Sequence, residues 1–257
     1  MVATTMSAVR ERGRYFYVWM AGVCALIAFG GFAPTYWLQL APGTFVGPAL
    51  LHIHSALFSA WMLLLLSQTW LASQGRLDHH RAWGLVGVAL ASAMVVVGLA
   101  TAIYSMNIEL AAGKEAARGF LVVPVVAIGL FAGFFVAAIL NIRRPDVHKR
   151  LILLATISLL QAAMGRVAFL IVSGGAGPGA RPGLAPLPPL ALTVGPSLAL
   201  ELLIVAGAVY DWRTRGRPHP VWIVGAVVMT AAVLLRAPLA ATPGWIAFAD
   251  ALGHIAG

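Results

Sequence analysis

Apolar residues fill seven long segments of the chain, and polar residues collect in the short stretches between them. About 20 apolar residues in a row can cross the roughly 30 Å hydrocarbon core of a bilayer as an α-helix. The pattern therefore predicts an all-α integral membrane bundle of about seven transmembrane helices in a single domain. The predicted helices cover residues 15–38, 48–72, 82–105, 118–141, 150–173, 189–210 and 220–240, and residues 241–257 form a tail.

The composition supports this class of protein. The chain is 61% apolar and 10% charged, whereas soluble proteins contain about 25% charged residues. Its formal charge of +9 comes from basic clusters between apolar segments, not from a continuous basic face, so we expect no nucleic-acid partner. The first apolar segment is too long for the apolar core of a signal peptide, and we interpret it as a retained helix.

The lysines and arginines predict which ends of the helices face the cytoplasm. Twelve of the 17 lie in the N-terminal arm and in alternate loops, whereas three lie in the loops on the other side. Because cytoplasmic loops are enriched in Lys and Arg, we expect a cytoplasmic N-terminus and an outer C-terminus. The basic loops would contact anionic headgroups, and the Gly/Pro-rich segment 174–189 and the tail 241–257 would lie outside.

A short motif occurs twice, and both copies lie at the start of a predicted helix. Arg76–Arg81 and Arg144–Lys149 share the pattern R-x-D-x-H-[RK], while His219 belongs to a weaker third copy. Helices two and three are therefore predicted to repeat as helices four and five. Three interpretations are open: Asp78 and Asp146 cap the helices beside basic lipid anchors, the histidines of the two full copies bind haem or a transition metal, or they transfer protons.

The second predicted helix carries polar residues at helical spacing. His54, Trp61 and Gln68 recur every seven residues, so they share one face, which we expect to look into the bundle. His52 lies on a roughly opposite face, because two residues turn a helix by about 200°. The two histidines could serve as ligands or simply form hydrogen bonds between helices.

Further polar residues lie within the last three predicted helices. Ionisable residues are costly in lipid and are candidates for function. Arg166 and Glu201 could form a static ion pair between helices. Alternatively, an outward-facing cavity could hold an anionic or quinone-like ligand, haem propionates or a proton path. The candidate cavity residues are His52, His54, Gln161, Arg166, Glu201 and Arg236, with Gln68 as a further polar candidate.

Several motifs resemble those of a large group of uncharacterised bacterial polytopic inner-membrane proteins. The matching segments are F-A-P-T-Y-W at Phe32–Trp37, H-I-H-S-A-L-F-S-A-W at His52–Trp61, Gln68, H-R-A-W-G at His80–Gly84 and R-R-P-D-V-H-K-R-L-I-L-L-A-T at Arg143–Thr156. The resemblance extends to about Arg166, and the last segment is also similar to one in membrane proteins associated with haem-copper oxidase assembly. The resemblance implies that the following residues are candidates for function: His54, Trp61, Gln68, His80, Arg81, His148, Lys149 and Arg150. Ile152 replaces the methionine common in the group, which argues against a thioether ligand there.

The sequence leaves three function classes open. The leading hypothesis is a redox or assembly protein that handles haem or copper through His54, His80 and His148. A second is a small-solute or lipid transporter that uses Arg166, Glu201 and Arg236, although the sequence predicts no pair of strongly broken helices. A third is a structural subunit of a larger membrane complex. Whether the chain is an enzyme is left undecided.

Overall fold

The structure is a computed structural model that describes residues 15–172 and 190–255. These residues form eight helices and no strand, and seven of the helices are long and apolar enough to cross a membrane. The predicted all-α, seven-helix bundle is therefore confirmed. The seven spans are α1 Phe16–Leu40, α2 Ala49–Ser73, α3 Leu77–Ala111, α4 Ala116–Leu140, α5 Pro145–Ala168, α6 Val194–Arg215 and α7 Pro220–Ala240, and α8 is Pro243–Ile255.

The bounds differ from the sequence-based expectation where charged residues enter a helix. α3 runs from Leu77 to Ala111, several residues beyond the predicted 82–105 at both ends. α6 lies five residues later than predicted and includes Asp211, which the sequence places in a loop. Asp211 is fully buried and paired, so the cost of desolvating its carboxylate is offset inside the bundle.

Four of the spans are not continuous α-helices. A π-helical segment, Ala33–Trp37, follows the first part of α1, and single residues interrupt α4 at Leu121, α5 at Leu160 and α6 at Leu200. Pro34 lacks an N–H group, which accounts for a disturbed hydrogen-bond ladder in α1. The α-helical pieces are Phe16–Phe32, Leu38–Leu40, Ala116–Phe120, Val122–Leu140, Pro145–Leu159, Gln161–Val172, Val194–Ala199 and Glu201–Arg215, with a 3-10 turn at Leu190–Thr193.

The helices pack through close contacts at small residues. The pairs α2–α3 and α4–α5 are the most extensive, and α7 packs against α4, α5 and α6. Gly207 lies directly against the ring of Trp222, and Gly225 lies against Leu154, so a Cβ at either glycine would overlap its neighbour. Small residues of this kind let membrane helices approach closely.

The two ends of the bundle differ in their charge. We call the end that holds the connections 74–76, 141–144 and 216–219 the basic end, and the end that holds 41–48, 112–115 and 241–242 the opposite end. α8 lies at the opposite end, where Trp245 Nε1 donates to the Arg118 carbonyl at 2.9 Å and Arg118 Nε donates to Asp250 at 2.5 Å. The predicted tail is therefore a docked helix. The N-terminal arm and the segment 174–189 lie outside the described residues.

Candidate functional site

His80 and His148 lie next to each other near the basic end. Each is the fourth residue of its helix, α3 or α5, and each follows an aspartate at the second position. The two ring centroids are 6.4 Å apart, and the ring planes are nearly perpendicular at 85°. The sequence-based prediction that the repeated motifs bring these histidines together is confirmed.

Both histidines are held by the same kind of hydrogen bond. His80 Nδ1 lies 3.3 Å from the Gln68 carbonyl and His148 Nδ1 lies 2.9 Å from the Ala138 carbonyl, each in the preceding helix. Because a carbonyl oxygen only accepts, Nδ1 of each ring carries the hydrogen. In the neutral ring, Nε2 then holds the lone pair, which is the arrangement found in metal-binding histidines.

The third copy of the motif behaves differently. His219 caps α7, and its Nδ1 accepts a hydrogen bond from the Val221 backbone N–H at 3.3 Å. Burial and the nearby Arg150 guanidinium lower the pKa of His219, because both disfavour the imidazolium ion. This histidine is therefore a helix cap, and the repeat has two equivalent copies.

His54 lies apart from the other two candidate ligands. It stacks on Phe58 at 4.1 Å between ring centroids, and its Nδ1 is buried with no hydrogen-bond partner among the described residues. It is 14 residues from Gln68 along α2, which corresponds to about 20 Å of helix. Among the described residues, no three His, Cys, Asp or Glu side chains form a group suited to one metal ion, so the three histidines do not share one site.

Neither aspartate of the repeated motif caps its helix. The N-cap residues are Arg76 and Arg144, without side-chain cap hydrogen bonds, and both aspartates lie in the first turn. In the first turn, their negative charges still interact favourably with the helix dipole. Asp146 instead accepts a hydrogen bond from Arg215 at 2.6 Å. The capping interpretation is therefore wrong. Asp146 helps to join α5 to α6 through its hydrogen bond with Arg215.

A fully buried ion pair lies behind Asp146. Arg150 Nε donates to Asp211 Oδ2 at 2.8 Å, and its Nη2 donates to the other carboxylate oxygen. Asp211 Oδ2 also accepts from Trp222 Nε1 at 2.9 Å and from the His219 N–H at 3.3 Å. This fork-like pairing ties α5, α6 and α7 together. Sequence reasoning missed Asp211, although it is the only acidic residue between Glu201 and Asp250.

The predicted inward face of α2 is confirmed. Trp61 is 4% exposed, and its Nε1 donates to the Thr156 hydroxyl of α5 at 3.1 Å. The side-chain nitrogen and oxygen of Gln68 are buried with no partner among the described residues. His52 points elsewhere, because it is exposed and its Nδ1 lies 3.0 Å from the Tyr36 hydroxyl.

The predicted ion pair between Arg166 and Glu201 is wrong. The Arg166 guanidinium lies over the Phe32 ring at 4.3 Å from its centroid, while Glu201 accepts from the Thr230 hydroxyl at 2.7 Å. Arg166 and Glu201 lie on helix faces that contact different neighbours. The depth of a residue in its span does not reveal which neighbour its helix face contacts. Of the cavity candidates, Gln161 and Arg236 are in direct contact, at 3.0 Å between Oε1 and Nη1.

In comparisons with protein-family models, curated proteins and solved structures, none matches this chain. Its class is therefore defined by the fold, which is that of a seven-span α-helical membrane protein. The candidate sites are interpreted from their own geometry and chemistry.

Proposed function

We propose that this chain is a metal-handling membrane protein that binds one copper ion between His80 and His148. The observation that supports the proposal is the pair of rings 6.4 Å apart, each with Nδ1 bonded to a main-chain carbonyl. Two metal–nitrogen bonds of about 2 Å each, together with the two ring radii, add up to roughly this separation.

Copper fits this pair better than other metals. Imidazole is a good copper ligand, and Cu(I) accepts linear coordination by two nitrogen ligands, whereas structural zinc needs four ligands. The described residues offer no group of three His, Cys, Asp or Glu ligands. A role in copper delivery or in the assembly of a larger redox complex follows, since a two-ligand site can pass its ion to a partner with more ligands. Haem between the same rings is the second candidate.

The copper proposal predicts that either histidine is essential for binding. Purified protein in detergent should bind one Cu(I) in competition with a chromogenic chelator, and His80→Ala or His148→Ala should weaken binding by more than about 100-fold, because even changes outside the ligand set cost 10- to 100-fold. His79→Ala is the matched control, since it removes a neighbouring exposed imidazole. Equal copper affinity in all four proteins would refute the site. A visible absorption band that only the two site variants lose would identify haem instead.

We further propose that the basic end faces the cytoplasm of a bacterial cell and contacts anionic headgroups. The support is the excess of Lys and Arg at this end, including Arg81, whose side chain is 74% exposed. Alkaline phosphatase needs disulfides that form in the periplasm. A fusion after Arg215 should therefore be inactive and a fusion at the C-terminus active. The reverse pattern of activities would overturn the orientation.

A further inference from the structure

α5 and α6 are both interrupted at a buried leucine. Leu160 and Leu200 are each 1% exposed. At each interruption the leucine N–H donates to the carbonyl three residues earlier, as in a 3-10 helix. The Leu160 N–H donates to the Ile157 carbonyl at 3.1 Å, and the Leu200 N–H donates to the Ser197 carbonyl at 3.2 Å. Each interruption involves a single residue, and the helix resumes directly after it. In membrane transporters, sites for small solutes lie beside interrupted helices.

Polar side chains from three helices meet beside these interruptions. Arg236 of α7 donates from Nη1 to Gln161 Oε1 at 3.0 Å and from Nη2 to Ser197 Oγ at 3.3 Å, and Ser197 Oγ lies 3.1 Å from Gln161 Oε1. Gln161 directly follows the interruption in α5, and Ser197 precedes the one in α6 by one turn. We call Gln161, Ser197 and Arg236 the α5–α6–α7 cluster.

The charge of Arg236 has no counter-ion among the described residues. Arg236 is 2% exposed, and in the part of the chain that the structure describes its Nε has no hydrogen-bond acceptor and no carboxylate lies within ion-pair distance of it. Glu201 is bonded to Thr230 instead. The segment 173–189, which the structure does not describe, contains no acidic residue in the sequence. A buried charge without a partner is strongly unfavourable.

We propose that the α5–α6–α7 cluster binds a small monocarboxylate. A single negative charge would compensate the guanidinium, and a carboxylate matches the fork of N–H donors that arginine presents. Gly165 lies one turn after Gln161, and a Cβ built on it meets no described atom within 4 Å, so the described residues leave open space at this position. Arg236 lies in the last turns of α7, so the ligand would enter from the opposite end. The site is separate from His80 and His148, and it does not depend on the copper proposal.

Acetate is the probe that tests this proposal. The purified protein should bind radiolabelled acetate saturably in equilibrium dialysis, and acetate should raise Tm at constant ionic strength, because a ligand that binds only the folded state stabilises it. Acetamide, the uncharged analogue, should do neither. Absence of saturable acetate binding by the wild-type protein would overturn the proposal, as would stabilisation by chloride at least equal to that by acetate.

Three variants test whether acetate binds at the α5–α6–α7 cluster. Arg236→Gln should abolish acetate binding, and Ser197→Ala should weaken it roughly tenfold, which corresponds to the loss of one hydrogen bond at a charged site. Arg213→Gln, which removes an exposed arginine at the basic end, is the matched control and should bind acetate normally. If Arg236→Gln does not fold, the Ser197→Ala result decides. Unchanged acetate affinity in Ser197→Ala would overturn the assignment to this cluster.

Discussion

Replacing Arg150 by methionine should destabilise the folded protein by about 3–5 kcal/mol, because it removes the cation that is hydrogen-bonded to the buried Asp211 carboxylate. Both side chains of this pair are fully buried, and Asp211 keeps only the neutral donors of Trp222 and His219. Arg215 would compensate the charge of Asp211 only in part, since its Nε lies 3.8 Å from Asp211 and its Nη2 is bonded to Asp146. The free energy of unfolding in detergent micelles is the quantity to measure.

A double-mutant cycle separates the ion pair from simple loss of packing. Arg150→Met combined with Asp211→Asn should be more stable than Arg150→Met alone, because asparagine removes the unpaired charge and still accepts from Trp222. Arg143→Met is the matched control, since it replaces an exposed arginine at the same end and should change stability by less than about 0.5 kcal/mol. Additive effects of the two site substitutions would contradict the coupling.

Gly31→Ala should destabilise the protein by about 1–3 kcal/mol, the usual cost of overpacking a tight interface. A Cβ at Gly31 would lie 2.6 Å from the Ala163 carbonyl oxygen and 2.8 Å from the Ala163 Cβ. Because the first of these is a main-chain atom, no rotamer change can relieve the overlap, and α1 must move away from α5. Thermal unfolding in micelles would show the loss.

Gly30→Ala provides the control in the adjacent position. A Cβ at Gly30 meets no atom of the described residues within 4 Å. This substitution should leave stability unchanged or raise it by about 0.5–1 kcal/mol, because alanine is the better helix former. Equal losses in the two variants would show that the close approach of α1 and α5 at Gly31 is not what limits stability.

Part of the candidate site follows from the sequence. The repeated R-x-D-x-H-[RK] motif puts His80 and His148 at the same offset from the starts of two helices that begin at the same end. Equal offsets give equal depths, so only the neighbouring positions of α3 and α5 in the bundle had to be added. The hydrogen bonds to the carbonyls of Gln68 and Ala138, which place the hydrogen of each ring on Nδ1, involve the preceding helices and are not coded in the motif.

The pairing of the intramembrane charges could not be predicted in the same way. Arg166 and Glu201 were expected to pair because their depths in the predicted spans are similar. The observed pairs are instead Arg150 with Asp211, and Arg236 with the amide of Gln161. Which face of a helix meets which neighbour depends on the rotation of each helix about its axis. That rotation is set by packing over the whole interface, including the close contacts at Gly31 and Gly225.

The sequence by itself determined the membrane class and the number and approximate position of the spans. The physical reason is local: each span must be long and apolar enough for the bilayer, and this holds segment by segment. The tertiary structure alone decided where α5 and α6 break, which buried charges find partners and which polar atoms are left without one. These features depend on contacts between residues far apart in the chain, and a one-dimensional pattern of hydrophobicity does not contain them.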